Sequence, residues 1–496
     1  MHSIWMDESR PPQQDLQGRR DADVVVVGAG ITGLATAWRL AKAGAQVVVL
    51  EAREPGGGNT GRSTGNLYGT TSTGLATLLG KWKMEDVQLA VDARMQAIDW
   101  IEEVARKLSI DCGFRRVPLY QCVMDPQSPK LQELHEEHEA ALRLGLVAQW
   151  GSSVEGWPLA AAGVHSLPGQ AHFNPWRFTA GLAQALRELG VDVYGCSRVL
   201  EVDPEGNAVV TAEGRVRAGH IVLATHTPLG INLLQTRMEV YREYGVAGPL
   251  EETELPAASV WVQDEARSIR THDLDGQRHL VIVGEKHKTG EEGDDDHAGR
   301  LREYGIRRFD MDRFSHGWSA QQYRSADGLP YIGRSGHRNV LVATGMGADG
   351  LVWGAVAARV FESLVLRDEE DALGRLLTPR RLAPVKSARG VAAENATVAK
   401  HMVTDRIKAR GGIPADVAPG DGEIMRVDGE TCAVHRTVEG KLLVLSAVCP
   451  HMKCLVQWNA SARTWDCPCH GSRFDVEGHV IEGPSLSGLE QRGSGG

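Results

Sequence analysis

Residues Asp21–Ala52 read DADVVVVGAGITGLATAWRLAKAGAQVVVLEA: a strand, a glycine turn, a helix and a second strand in unbroken succession. Val24 to Val27 form a β-branched run suited to a strand buried on both faces. Gly28, Gly30 and Gly33 follow in G-x-G-x-x-G order, a helical pattern continues to about Lys42, and Gln46 to Leu50 make the next strand. Gly28 allows the tight turn, Gly30 lets a pyrophosphate approach the backbone, and Gly33 permits close packing of helix on strand. The helix N-terminus turns its unpaired N–H groups and positive dipole end towards the phosphates. Glu51, 23 residues after Gly28, is placed to accept hydrogen bonds from ribose hydroxyls. The stretch predicts a Rossmann-like α/β nucleotide domain, and by itself does not separate FAD from NAD.

A second signal lies near the C-terminus, in the boxes CPHMKC (Cys449–Cys454) and CPCHGSRF (Cys467–Phe474). Cys449 and His451 stand two apart, Cys467 and His470 three apart. Two thiolates and two imidazoles on paired loops suit a [2Fe–2S] centre in which one iron takes both sulfurs and the other both nitrogens. A tetrahedral Cys2His2 zinc site is the rival use of these donors, although zinc motifs favour a C-x-x-C pair followed by a spaced histidine pair. The segment Gly420–Leu489 resembles the Rieske family over both boxes. That resemblance implies Cys449, His451, Cys467 and His470 as cluster ligands and a disulfide between Cys454 and Cys469. Ser472 matches a serine that hydrogen-bonds the cluster in high-potential members, but Phe474 stands where they carry a tyrosine. Losing a hydrogen bond to sulfur lowers the potential, so a midpoint below theirs is expected.

The segment RNVLVATGMGADGLVWGAVAARVFESLVL (Arg338–Leu366) reads as a strand, Val340 to Ala343, then a loop of Gly345, Gly347 and Gly350 opening a helix. With the first fingerprint, HIVLATHTP (His220–Pro228), DGLPYIG (Asp327–Gly333) and the loop GGGNTGRSTGNLYG (Gly56–Gly69), the chain resembles FAD-dependent flavoproteins of the D-amino-acid oxidase type. The resemblance implies FAD contacts at Gly28, Gly30, Ile31, Thr32, Gly33, Glu51 and Ala52, and at Gly58, Arg62, Ser63 and Thr64. Further contacts follow at Val199, Ala224 and Thr225, and at Gly345, Met346, Gly347, Gly350 and Leu351. Where many fused relatives read Thr-Thr-Ala-Lys, this chain reads Ser63-Thr64-Gly65-Asn66.

These signals divide the chain. Residues 1–20 form an N-terminal arm; 21–80, 160–235 and 325–367 an FAD-binding domain; 81–159 and 236–324 a mixed α+β substrate domain. Residues 368–419 form a helical linker with a helix from Glu394, 420–491 an all-β Rieske domain, and 492–496 a tail. Helices are expected over Glu85–Ile110, about Pro129–Leu146 and Phe178–Leu189. The HEEH run at His135–His138 and the acidic Glu291–Asp296 are read as solvated. Cys112, Cys122, Cys196 and Cys432 lack metal or redox spacing and are read as buried small hydrophobes.

With 496 residues the chain exceeds a single core, and its net charge of −10 without a basic block excludes a nucleic-acid partner. No apolar run reaches membrane-span length and no signal pattern opens the sequence, so no membrane insertion and a cytoplasmic location are expected. The two resemblances together point to an oxidoreductase that oxidises the C–N bond of an amine or amino acid to an imine. Electrons then pass from flavin to the [2Fe–2S] cluster and on to oxygen or a one-electron carrier. Expected substrate-binding residues are Arg177, Lys286, His287, Trp318, Tyr323 and Arg324, cations for a carboxylate and aromatics that exclude water. Two alternatives stand beside this: a flavin oxidase whose Rieske domain senses or docks, and an NADH-fed reductase with the cluster as outlet. A second nucleotide fingerprint and a 2-His-1-carboxylate iron set are both missing from the sequence.

Overall fold

The β-branched run becomes the middle of a parallel sheet. In a computed structural model, which describes residues 2–6, 10, 12–250, 255–274, 276–291, 296–381 and 410–492, β1 (Gly18–Val27) is followed by α1 (Ile31–Lys42) and β2 (Val47–Leu50). Val24 to Val27 are all buried. A Cβ on Gly33 would stand 1.8 Å from the Gly28 carbonyl oxygen, so only glycine allows this helix so close to its strand. Next come α2 (Met84–Lys107), α3 (Lys130–Arg143) and α4 (Pro175–Glu188). Asn174 starts α4 by accepting hydrogen bonds from the Trp176 and Arg177 amides, with Pro175 at the first helical position.

β3 (Asp192–Tyr194) and β4 (Gly214–Leu223) return to the first sheet. β5 (Met238–Pro249), β6 (Gln277–Lys288) and β7 (His316–Ser325) build a second sheet. β8 (Tyr331–Arg334), β9 (Val340–Thr344) and α5 (Gly350–Leu366) complete the first. The first sheet is eight-stranded; its main path β8-β9-β4-β1-β2-β3 is parallel except at β8, and Ala208–Val210 and Glu201–Asp203 add antiparallel beside β4. The second is nine-stranded and mostly antiparallel, with β7, β5 and β6 adjacent at one edge.

The all-β C-terminal domain holds two four-stranded sheets. The first pairs Arg410–Gly411, Gly422–Val427, Glu430–Arg436 and Leu442–Ser446; the second Gln457–Asn459, Thr464–Asp466, Arg473–Phe474 and Val480–Glu482. Its core packs Leu445, Trp465 and Phe474 around the four box cysteines.

Several sequence expectations need correction. β1 begins inside the arm, and Ile4 and Trp5 are buried against Trp176 and Trp318, so the arm is part of the core. Asn66–Leu67 and Ala160–His172, placed with the FAD-binding domain, pair into the second sheet. α2, placed with the substrate domain, shares a core with α1 and α5. Apolar spacing shows that a helix has a buried face, not which layer that face covers. The middle strand ends at Leu223. In HEEH, Glu137 is buried, and its carboxylate accepts from the Leu75 and Ala76 amides at 2.8 and 2.9 Å, capping a short helix. Cys112, Cys122 and Cys432 are buried, but Cys196 is exposed. The helix expected from Glu394, most of Glu291–Asp296 and most of the tail lie outside the described residues. Among those described, no helix is long and apolar enough to cross a membrane.

Candidate active site and cluster centre

A cavity of about 700 Å3 runs between the two sheets. The turn after β1 lines it with Gly28, Gly30, Ile31 and Thr32, and the end of β2 with Glu51 and Ala52. The loop before the second sheet adds Gly58, Arg62, Ser63 and Thr64. Val199, Ala224 and Thr225 line it from the first sheet, and Met346, Gly347, Gly350 and Leu351 from the start of α5. Gly33 lies behind the turn against Gly28, and Gly345 takes a φ of +73° beside Ser325 and Tyr331. α1 starts at Gly30 with no cap from that residue, and Thr60 Oγ1 accepts from the Ile31 amide at 3.1 Å; α5 starts at Asp349, whose carboxylate accepts from Ser72 and pairs with Arg94. Glu51 accepts from the Ala29 and Arg53 amides at 2.8 and 3.0 Å, with lone pairs left over for hydroxyls. The residues present fit a dinucleotide with its pyrophosphate at the glycine turn before α1.

Both cluster boxes fold as loops held by backbone hydrogen bonds. Cys449 N donates to Cys454 O at 2.8 Å, and Cys467 N to Ser472 O at 2.8 Å. A disulfide joins Cys454 to Cys469 across the loops, and Cys449 and Cys467 are free and buried. The His451 and His470 rings stand edge to face with centroids 5.1 Å apart. His451 Nε2 and His470 Nδ1 are buried without a hydrogen-bond partner among the described residues. Buried polar atoms are rarely left so, and such nitrogens are what a metal would take. Burial pulls the His470 pKa down to about 4 and lowers that of His451, which leaves neutral imidazoles, the ligand form. The Cys454, Cys467 and Cys469 sulfurs lie within 4.8 Å of one another, but two of them are bonded together, so the group marks the disulfide packed on a ligand. Ser472 Oγ accepts from Ser485 N at 3.0 Å, and Phe474 is fully buried.

The cluster domain also walls the cavity, through Ser461 to Thr464, Arg473, Ile481 to Gly483, Ser485 and Leu486. Strand alternation divides the work of β5 and β7. Arg242, Tyr244, Gln321 and Tyr323 meet the cluster domain, with Tyr244 and Gln321 also in the cavity wall; Glu243, Trp318 and Gln322 line the cavity from the opposite face of the strands. Gln321 Nε2 donates to Gly471 O at 2.8 Å and Tyr323 Oη to Gly483 O at 3.2 Å. Gly471 has a φ of +76°, and a Cβ there would stand 2.6 Å from Val240. Arg242 lies 3.4 Å from Asp466 with both side chains fully buried, and Asp466 also pairs with Arg473 at 3.2 Å. Glu482 accepts from Asn59 at 2.7 Å and meets His226 Nδ1 at 3.0 Å. Burial alone would raise the Glu482 pKa, but His226, Arg473 and Arg242 outweigh it and hold it at about 2.

Of the residues expected to bind substrate, only Trp318 lines the cavity among those described; its Nε1 donates to Arg62 O at 3.0 Å. Arg177 lines a separate hollow beside α4. Lys286 and Arg324 lie 4.6 and 5.7 Å over the Tyr241 ring. His287 stacks on His297 at 4.2 Å, and Tyr323 belongs to the seam. Sequence reasoning missed Asn59, His226, Glu243, Gln322 and Glu482, which carry no local motif and come together only through the tertiary fold.

The FAD dependent oxidoreductase family (DAO) matches residues 23–364, and the Rieske [2Fe-2S] domain matches residues 412–492. The chain is 28% identical over 484 residues to YhfW of Bacillus subtilis, described as a Rieske 2Fe-2S iron-sulfur protein, covering 96% of this chain and 94% of that one. It is 31% identical over 211 residues to gamma-glutamylputrescine oxidoreductase of Escherichia coli, covering 42% and 50%. Glycine oxidase from Geobacillus kaustophilus shares the fold at a TM-score of 0.60 and 20% identity, over 73% of this chain and 100% of that one.

Proposed function

We propose, because the chain belongs to the FAD dependent oxidoreductase family and carries a Rieske [2Fe-2S] domain behind it, that it oxidises the C–N bond of an amine or amino acid to an imine and releases the electrons by way of the cluster. FAD accepts two electrons from an organic donor when bound, and a Rieske cluster carries one at a time. The observation that carries the reading is the shared wall: cluster-domain residues close the cavity that the nucleotide fingerprint opens. The similarity to a gamma-glutamylputrescine oxidoreductase over part of the chain supports the choice of C–N chemistry.

In this reading Gly28, Gly30 and the end of α1 hold the pyrophosphate, and Glu51 holds the ribose. Trp318, locked by its bond to Arg62, keeps water from the substrate end. Cys449 and Cys467 hold one iron and His451 and His470 the other. Gln321, Tyr323 and Gly471 fix the second ligand loop against β5 and β7. The acceptor after the cluster is oxygen or a one-electron carrier, and the chain works in the cytoplasm.

The test is anaerobic reduction of purified protein by a panel of amines and amino acids, following flavin absorbance and the cluster EPR signal together. Flavin bleaching followed by the reduced-cluster signal is the expected result. Bleaching with a permanently oxidised cluster would take the cluster off the path and leave the Rieske domain as a sensing or docking module.

A further inference from the structure

Glu243 lines the cavity together with Trp318 and Gln322. It sits at a break in register. Arg242 pairs with His287 and Tyr244 with Gly284, so Glu243 alone faces two residues of β6, Glu285 and Lys286. Such a bulge re-aims side chains and is over-represented beside active sites. Glu285 takes a φ of +58°, a strained conformation for a residue with a side chain. Its carboxylate turns to Arg267 and Arg300, and Lys286 lies over Tyr241. Glu243 is left with a hydrogen bond to Gln322 and no ion pair within 4.0 Å among the described residues. Burial raises its pKa, and Lys286, Gln322, Arg324 and His287 oppose that only in part. An unpaired carboxylate in such a place costs free energy that a bound cation would offset.

We propose that Glu243 pairs with the ammonium group of the substrate remote from the nitrogen that is oxidised, so that the cavity takes diamines in preference to α-amino acids. The inference rests on the C–N oxidation reading and narrows it. A carboxylate on the substrate would meet Glu243 in a dry site, where like charges repel strongly. Of the arginines in the cavity wall, Arg62 donates to the Gly57 and Gly58 carbonyls and Arg473 pairs with Asp466 and Glu482, while Lys286 and Arg324, close enough to act on Glu243, lie over Tyr241.

FAD-loaded protein is titrated with tetramethylammonium, and separately with propionate, while the flavin absorption difference spectrum is read. Tetramethylammonium is expected to bind saturably and propionate more weakly. Glu243→Gln should weaken the cation by about tenfold or more and improve propionate. Glu243→Asp, which keeps the charge, should retain part of the cation affinity and decides the matter if the glutamine variant fails to load FAD. Preference for propionate in the unaltered protein, no spectral response to either probe, or unchanged cation affinity in Glu243→Gln would overturn the proposal. In turnover, diaminobutane should bleach the flavin faster than ornithine, which is diaminobutane with an added carboxylate. Bleaching by amino acids alone would sink the inference and leave C–N oxidation standing. Bleaching by neither class would sink C–N oxidation, with the tetramethylammonium titration still deciding the role of Glu243.

Discussion

The strand pair β5 and β7 is packed on both faces, and the two packings are chemically unlike. On the cavity side Trp318, with Val281 and Val283 of β6, joins Ile4, Trp5 and Trp176 in an apolar cluster. On the cluster side Arg242 meets Asp466, Tyr244 meets Asn459, and Gln321 meets the Gly471 carbonyl. Apolar burial is non-directional and tolerates a change of shape. A buried network of charges and hydrogen bonds fixes one geometry and tolerates little. The face that must hold a ligand loop in register is the directional one.

That contrast can be broken most severely at Asp466. Asp466→Asn keeps the shape but removes the buried charge that both Arg242 and Arg473 pair with, and should cost about 3–5 kcal/mol, read as a lower unfolding transition in the cluster absorption. Acid should act on the same face. Glu482 is held near 2, below an unfolded carboxyl, so its contribution is present above about pH 4.5 and lost as the pH falls towards 2. The loss should reach about 3 kcal/mol, and Glu482→Gln should flatten that part of a stability-against-pH curve. The apolar face should be far more forgiving: Trp318→Phe keeps most of the buried area and should cost about 1–2 kcal/mol in thermal unfolding. Smallest is Tyr323→Phe, about 1 kcal/mol, seen as a modest loss of stability and a shifted cluster EPR line if the loop moves.

The parts legible in the sequence are those whose logic is local. Gly28, Gly30, Gly33 and Glu51 lie on one strand–turn–helix–strand unit, where spacing alone states the geometry. The cluster boxes are likewise two short loops, and the fold and the two cofactors followed from these stretches. What stayed hidden depends on residues far apart in the chain. Ala160–His172 is strand by pattern, yet its sheet depends on pairing with Arg115–Val123. Arg242 and Asp466 look like ordinary surface charges until the seam buries both. Glu243 shows itself only through a bulge in its neighbour, a register event with no signature in β5.

The buried second ligand loop has a consequence for how the protein keeps its cofactors. Cys449, Cys467 and His470 are almost wholly screened from solvent, and Gly471 is pressed against Val240 and Tyr323. In the docked arrangement the C-terminal domain screens these ligands and walls the flavin cavity at the same time. The same contact thus covers two sites, and loosening it at Gly471 should open both to solvent together, read as faster iron loss to a chelator and faster flavin release.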